Sequence, residues 1–123
     1  MKFFKCNVCG NIVELVKSGG GQLVCCDQPM EELKANTVDA AVEKHVPVAT
    51  VEGDVLDVVV GSVEHPMTEE HYIQFIVVEL EDGAYRKDLK PNEAPKATFN
   101  VAGKKPLAVY EYCNLHGLWK KEL

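Results

Sequence analysis

From residue 42 onward, apolar positions come in short runs rich in valine, isoleucine and aromatic residues. Turn residues interrupt them about every ten positions, the spacing of a small all-β domain. HVPVATV and VLDVVVG flank Glu52-Gly53-Asp54, and HYIQFIVVEL and AYRKDLK flank Glu81-Asp82-Gly83. KATFNVA and PLAVYEYC flank Gly103-Lys104-Lys105, and GLWKKEL forms a last run. No segment sustains apolar residues at i, i+3, i+4 and i+7, so the pattern predicts strands and no long helix. Six or seven strands in about 80 residues predict a small β-sandwich of immunoglobulin-like character. Two irregular stretches stand out, GSVEHPMTEE at 61–70 and KPNEAPK at 90–96.

The first 35 residues read differently. NIVELVK and GQLVCC lie on either side of Ser-Gly-Gly-Gly at 18–21, which predicts a hairpin around that turn. A head of this size cannot bury an adequate apolar core and needs a staple such as a metal. The pattern divides the chain into a head, 1–36, and a body, 37–123, with 35–41 as connector.

Composition narrows the classes. The 123 residues are 46% hydrophobic, enough for a core, and carry a formal net charge of −6. Nucleic acid and anionic membranes require basic surface, so neither is an expected partner. An anionic substrate would need a local positive charge. MKFFKCNVCG has too short an apolar run for a signal peptide, and no stretch approaches the ~18 apolar residues of a membrane span. The expected location is the cytoplasm, where the five cysteines stay reduced and serve as metal ligands or catalytic groups.

Four of those cysteines lie in the head, as C-x2-C at Cys6 and Cys9 and as an adjacent pair at Cys25 and Cys26. A C-x2-C turn aims two thiolates at one point. Neighbouring residues of a regular strand face opposite ways, so Cys25 and Cys26 can share an ion only where the chain bends, and Asp27-Gln28-Pro29 supplies a bend. Four thiolates in tetrahedral array suit zinc or iron. Most structural zinc ribbons repeat C-x2-C, which the adjacent pair does not. KCNVCGNIVELVKSGGGQLVCCDQPM resembles desulforedoxin in every cysteine, their spacing and the glycine turn. That resemblance implies an Fe(Cys)4 centre cycling by one electron and a homodimer formed through the head.

The fifth cysteine, Cys113, stands with His116 in CNLHG, and His45, His65 and His71 complete the histidines. None lies in a long apolar run. A single histidine at a strand end is ordinarily a surface residue, but H-x5-H and C-x2-H together point to loops converging at one end of a sandwich. Four imidazoles and a thiolate exceed a four-coordinate zinc site and leave one octahedral position for a small molecule. EKHVP, EHPM, EEHYI and CNLHGLW resemble, in order, the catalytic domain of superoxide reductase. Head and body together resemble desulfoferrodoxin, the two-iron form.

The resemblance implies a second iron with His45, His65, His71 and His116 as equatorial ligands and Cys113 as axial thiolate. It implies one-electron reduction of superoxide to hydrogen peroxide, with a rubredoxin-like protein as electron donor. It further implies that Glu43 caps the sixth position of the oxidised form and that Lys44 supplies the local positive charge. The backbone of Leu115 and His116 is placed to donate to the Cys113 sulfur. Tyr110, Tyr112 and Trp119 are expected to be core packing. A copper electron-transfer sandwich competes, but it needs a methionine beyond His116 and leaves two histidines unexplained. A zinc-stapled binding domain leaves all four unexplained, and a simple iron electron carrier makes no use of the body site.

Overall fold

The computed structural model describes residues 1–123. Two compact units divide it, Met1–Lys34 and Ala35–Leu123.

The first unit holds five short strands. β1 (Phe3–Lys5) pairs antiparallel with β2 (Ile12–Glu14) and β5 (Glu31–Glu32), while β3 (Val24–Cys25) pairs with β4 (Gln28–Pro29). The hairpin expected around residues 18–21 does not form: β2 and β3 are not partners. Each instead closes a shorter loop onto its other neighbour, which costs less chain entropy than closing across three glycines. The β1–β2 turn is the C-x2-C segment, where Gly10 takes a φ of 82°. The β3–β4 turn is Cys26-Asp27, with φ of 52° and 60°. Positive φ at both central residues is the type I′ geometry that matches the twist of a two-residue hairpin.

The second unit begins with a connector and a single helical turn, α1 (Val42–His45), absent from the strand-only expectation. Three strands, β6 (Pro47–Glu52), β7 (Val55–Val60) and β10 (Lys96–Asn100), form one antiparallel sheet in the order β10-β7-β6. Four others, β8 (Ile73–Leu80), β9 (Gly83–Asp88), β11 (Pro106–Cys113) and β12 (Gly117–Glu122), form a second, in the order β12-β11-β8-β9. The strands therefore begin and end close to the runs read from the sequence.

Alternation places the core. Leu56, Val58 and Val60 of β7 are buried between exposed Asp57 and Val59, and Ala97 and Phe99 of β10 follow the same rule. They pack with Ile76 and Val78 of β8 and Val109 and Cys113 of β11. β8 and β11 are the central strands of their sheet and are buried almost throughout. Cys113 thus lies at the end of a rigid strand and inside the core. No helix is long and apolar enough to cross a membrane.

Candidate metal centres

In the head the four sulfurs lie within 4.8 Å of one another. Cys9 Sγ stands 3.6 Å from Cys25 Sγ, and Cys25 Sγ 3.9 Å from Cys26 Sγ. Four sulfurs bound tetrahedrally at about 2.3 Å would stand about 3.8 Å apart, so the cluster already has the right dimensions. The bend that lets adjacent cysteines converge is the Cys26-Asp27 turn, slightly earlier than Asp27-Gln28-Pro29. All four thiols are free. The Cys9 and Val8 N–H groups point at Cys6 Sγ, at 3.5 and 3.4 Å, and pull its thiol down to about 6. Cys25, crowded by the Cys9 and Cys6 sulfurs, is pushed up to about 12. One thiolate forms readily and the next is resisted, so a cation is needed to ionise all four.

In the body each histidine is aimed by local structure. His45 ends α1, and its Nδ1–H donates to Ala41 O at 2.8 Å. His65 N–H donates to Val60 O, and its Nδ1–H to Pro66 O at 2.6 Å. Donation from Nδ1 fixes the tautomer and leaves Nε2 of both rings with a free lone pair. His71 closes a tight loop in which its N–H donates to Thr68 Oγ1 at 3.1 Å. His116 sits in the turn between β11 and β12, where Gly117 takes a φ of 79°.

The four rings form a square. Around it the centroids are 4.6 Å (His45–His65), 4.7 Å (His65–His71), 4.9 Å (His71–His116) and 4.8 Å (His116–His45) apart. The diagonal His45–His71 is 6.4 Å. Each ring stands nearly perpendicular to its neighbours, at 78° to 87°. His45 Nε2 lies 3.1 Å from His65 Nε2 and 3.0 Å from His116 Nδ1. Four nitrogens in a plane about 2.1 Å from a shared ion have edges of about 3.0 Å. His71 Nε2 is buried without a hydrogen-bond partner, an orphan that an ion at the centre would satisfy. Cys113 Sγ is buried, 3.9 Å from His116 Nδ1, and all five donor atoms lie within 4.8 Å of one another.

Electrostatics agree with a ligand role. Burial pushes His65 down to about 4 and lowers His45 and His71, which keeps those three imidazoles neutral. Burial raises the Cys113 thiol, while the Leu115 and His116 N–H groups, as the sequence suggested, donate to the sulfur and oppose the rise. Those donors stabilise a thiolate once a cation is present. Lys44 and Glu43 are exposed beside His45. The Lys44 charge bears on both His45 and His71, and Glu43 acts on His45 in the opposite sense. The Glu43 carbonyl accepts from Val63 N–H at 2.9 Å and Ser62 Oγ at 3.2 Å, so the main chain there is pinned.

Two side chains have roles at the site that the sequence reading does not assign: Asn114 is not singled out there, and Trp119 is read as core packing. Asn114 Oδ1 accepts from Tyr72 N–H, and Asn114 Nδ2 donates to Glu70 O, both at 2.9 Å. It thereby grips the residues on either side of His71 from between Cys113 and His116. Its place inside C-x2-H was the available signal. Trp119 stacks on His45, with ring centroids 5.0 Å apart, and its indole N–H donates to His116 O at 3.0 Å. Tyr112 is buried and stacks on Phe75, so packing accounts for it as expected.

A β-sandwich holding four imidazoles and a buried thiol, with a four-cysteine knuckle before it, defines a two-centre non-haem iron protein. The chain belongs to the desulfoferrodoxin family. The family's Desulfoferrodoxin domain matches residues 37–122, and its Desulfoferrodoxin, N-terminal domain matches residues 1–33. A desulfoferrodoxin of Syntrophotalea carbinolica is 53% identical over 123 residues, covering 99% of this chain and 96% of that protein. A superoxide reductase of Pyrococcus abyssi is 37% identical and covers 66% of this chain and 86% of its own. The crystal structure of the superoxide reductase from Treponema pallidum superposes with a TM-score of 0.82 at 38% identity, covering 98% of both chains. The donor sets, Cys6, Cys9, Cys25 and Cys26 in one and His45, His65, His71, His116 and Cys113 in the other, fit two irons per chain.

Proposed function

We propose that this protein is a cytoplasmic superoxide reductase, catalysing superoxide plus one electron plus two protons to hydrogen peroxide. The observation that carries the reading is the square of four imidazoles with a buried thiol beside it. A six-coordinate iron held by these five donors would have one position left for a small anion. The names of the Pyrococcus and Treponema relatives support the same activity. When bound, iron supplies the transferred electron and the vacant coordination position.

The chain's own residues do the rest. Burial keeps His45, His65 and His71 uncharged, so an iron held among them would remain cationic and would favour an anionic substrate. Cys113 adds electron density from the core side, and the Leu115 and His116 N–H groups temper that density. Lys44 offers the only charge of the right sign in the Glu43-Lys44-His45 triplet; in a chain of net charge −6 it steers superoxide in and stabilises the developing peroxide. Glu43, its backbone pinned and its side chain exposed, would offer a carboxylate to the bound iron that substrate would have to displace. The head's four cysteines hold a second iron that relays electrons or joins two chains as a homodimer. A rubredoxin-like one-electron carrier is the donor.

Replacing His71 with alanine removes a corner of the square without touching the core. We expect the iron-loaded variant to lose superoxide consumption by more than about a hundredfold, as for an inner-sphere ligand that positions the reacting ion. Wild-type consumption in His71→Ala would remove this centre from the reaction.

A further inference from the structure

We propose that Trp119 is a positioning residue for the five-ligand centre, which it serves by holding two adjacent corners of the histidine square at once. The inference rests on these residues being an iron site and is independent of the substrate. His45 and His116 are neighbours in the square, 3.0 Å apart through Nε2 and Nδ1. Trp119 touches both by different means. Its ring lies on His45 at 30° and 5.0 Å, and its Nε1–H donates to the His116 carbonyl at 3.0 Å. The stacking fixes the rotation of one imidazole, and the hydrogen bond fixes the backbone that carries the other.

The tryptophan is itself immobilised. It is 2% exposed and registers opposite Glu111, two residues before Cys113 on the same strand pair. Asn36 brackets it on the main chain: Asn36 N–H donates to Leu118 O at 3.0 Å, Lys120 N–H to Asn36 Oδ1 at 2.9 Å, and Asn36 Nδ2 to Lys120 O at 3.1 Å. The segment that starts at this clamp ends at Ala41, whose carbonyl takes the His45 Nδ1–H. His45 is therefore gripped on its face by Trp119 and at its edge by a segment tied to the same strand. His65 and His71 are held by other devices, the Pro66 carbonyl, Thr68 and Asn114. Loss of Trp119 should distort one edge of the square and leave the opposite edge in place.

Two variants of the full chain separate the contacts. Trp119→Phe keeps a ring for His45 and removes the donor to His116; Trp119→Leu removes both. Metal-free protein is titrated anaerobically with ferrous iron, then oxidised chemically for electron paramagnetic resonance. Ferrous affinity of the five-ligand site should fall about 10- to 100-fold in Trp119→Leu and by less in Trp119→Phe, the cost typical of outer-sphere partners of a metal ligand. Both variants should show a changed rhombicity of that ferric signal, with the four-cysteine signal unaltered. Wild-type affinity and an unchanged spectrum, whatever happens to the melting temperature, would make Trp119 a core filler and overturn the proposal. If Trp119→Leu does not fold, the Phe variant decides by the same two readouts. No superoxide rate enters the test, so a failure of the proposed reaction would leave this result standing.

Discussion

At the scale of single residues, the chemistry turns on which side chains are held neutral and which charged. Lys44 acts through charge on His45 and His71, and charge is screened by salt. Lys44→Ala should slow superoxide capture by about tenfold at low ionic strength and flatten its salt dependence, read by pulse radiolysis over a salt series. An unchanged rate would take the lysine out of the mechanism. Glu111 is a second case. It is fully buried on β11, neither carboxylate oxygen meets a donor, and desolvation pushes its carboxyl well above the ordinary range. An acid whose folded pKa is raised binds more protons folded than unfolded, so it lowers stability as pH climbs through and above ~4.5. Glu111→Gln should therefore gain stability over the wild type on going from pH 5 to pH 8, and equal pH slopes in chemical denaturation would contradict this. The ligands were legible in the sequence because coordination demands particular residue types at particular spacings. Trp119 and Asn114 were not, because their roles depend on strand register and loop contact.

At the scale of elements, the site depends on how closely α1 meets the end of β7. Gly61 follows that strand, and a Cβ there would lie 2.6 Å from Glu43 O and 2.9 Å from the Lys44 carbonyl carbon. Both are backbone atoms with little room to yield. Gly61→Ala should push the helical turn outward, cost about 1–3 kcal/mol by overpacking, and weaken iron binding through His45. Wild-type iron affinity together with a wild-type melting temperature would show that the turn can move freely. Strand positions in the body were readable because turn residues punctuate an alternating pattern, as at Leu56, Val58 and Val60. The head was misread at residues 18–21 because pairing there is decided by the cysteine-bearing turns. The glycine run signalled a reversal but could not say which strands would meet. α1 was invisible for a related reason, since a single helical turn leaves no periodicity to detect.

For the whole molecule, the division into Met1–Lys34 and Ala35–Leu123 separates two donor sets that share no residue. Cys9→Ser should disturb the head iron and leave the single-turnover reaction of the body within about twofold, the additivity expected of sites that share no ligand. A large loss in that step would mean that the head takes part in the chemistry itself. The central claim is that the five-ligand centre gives one electron to superoxide and keeps none in return. The most direct measurement is a superoxide pulse onto the anaerobically reduced, iron-loaded protein, following iron oxidation and dissolved oxygen together. Stoichiometric ferrous oxidation with hydrogen peroxide formed and no oxygen evolved is the predicted result. Oxygen release with the iron back in its starting state would show a dismutase, and no reaction with both irons present would contradict the account outright.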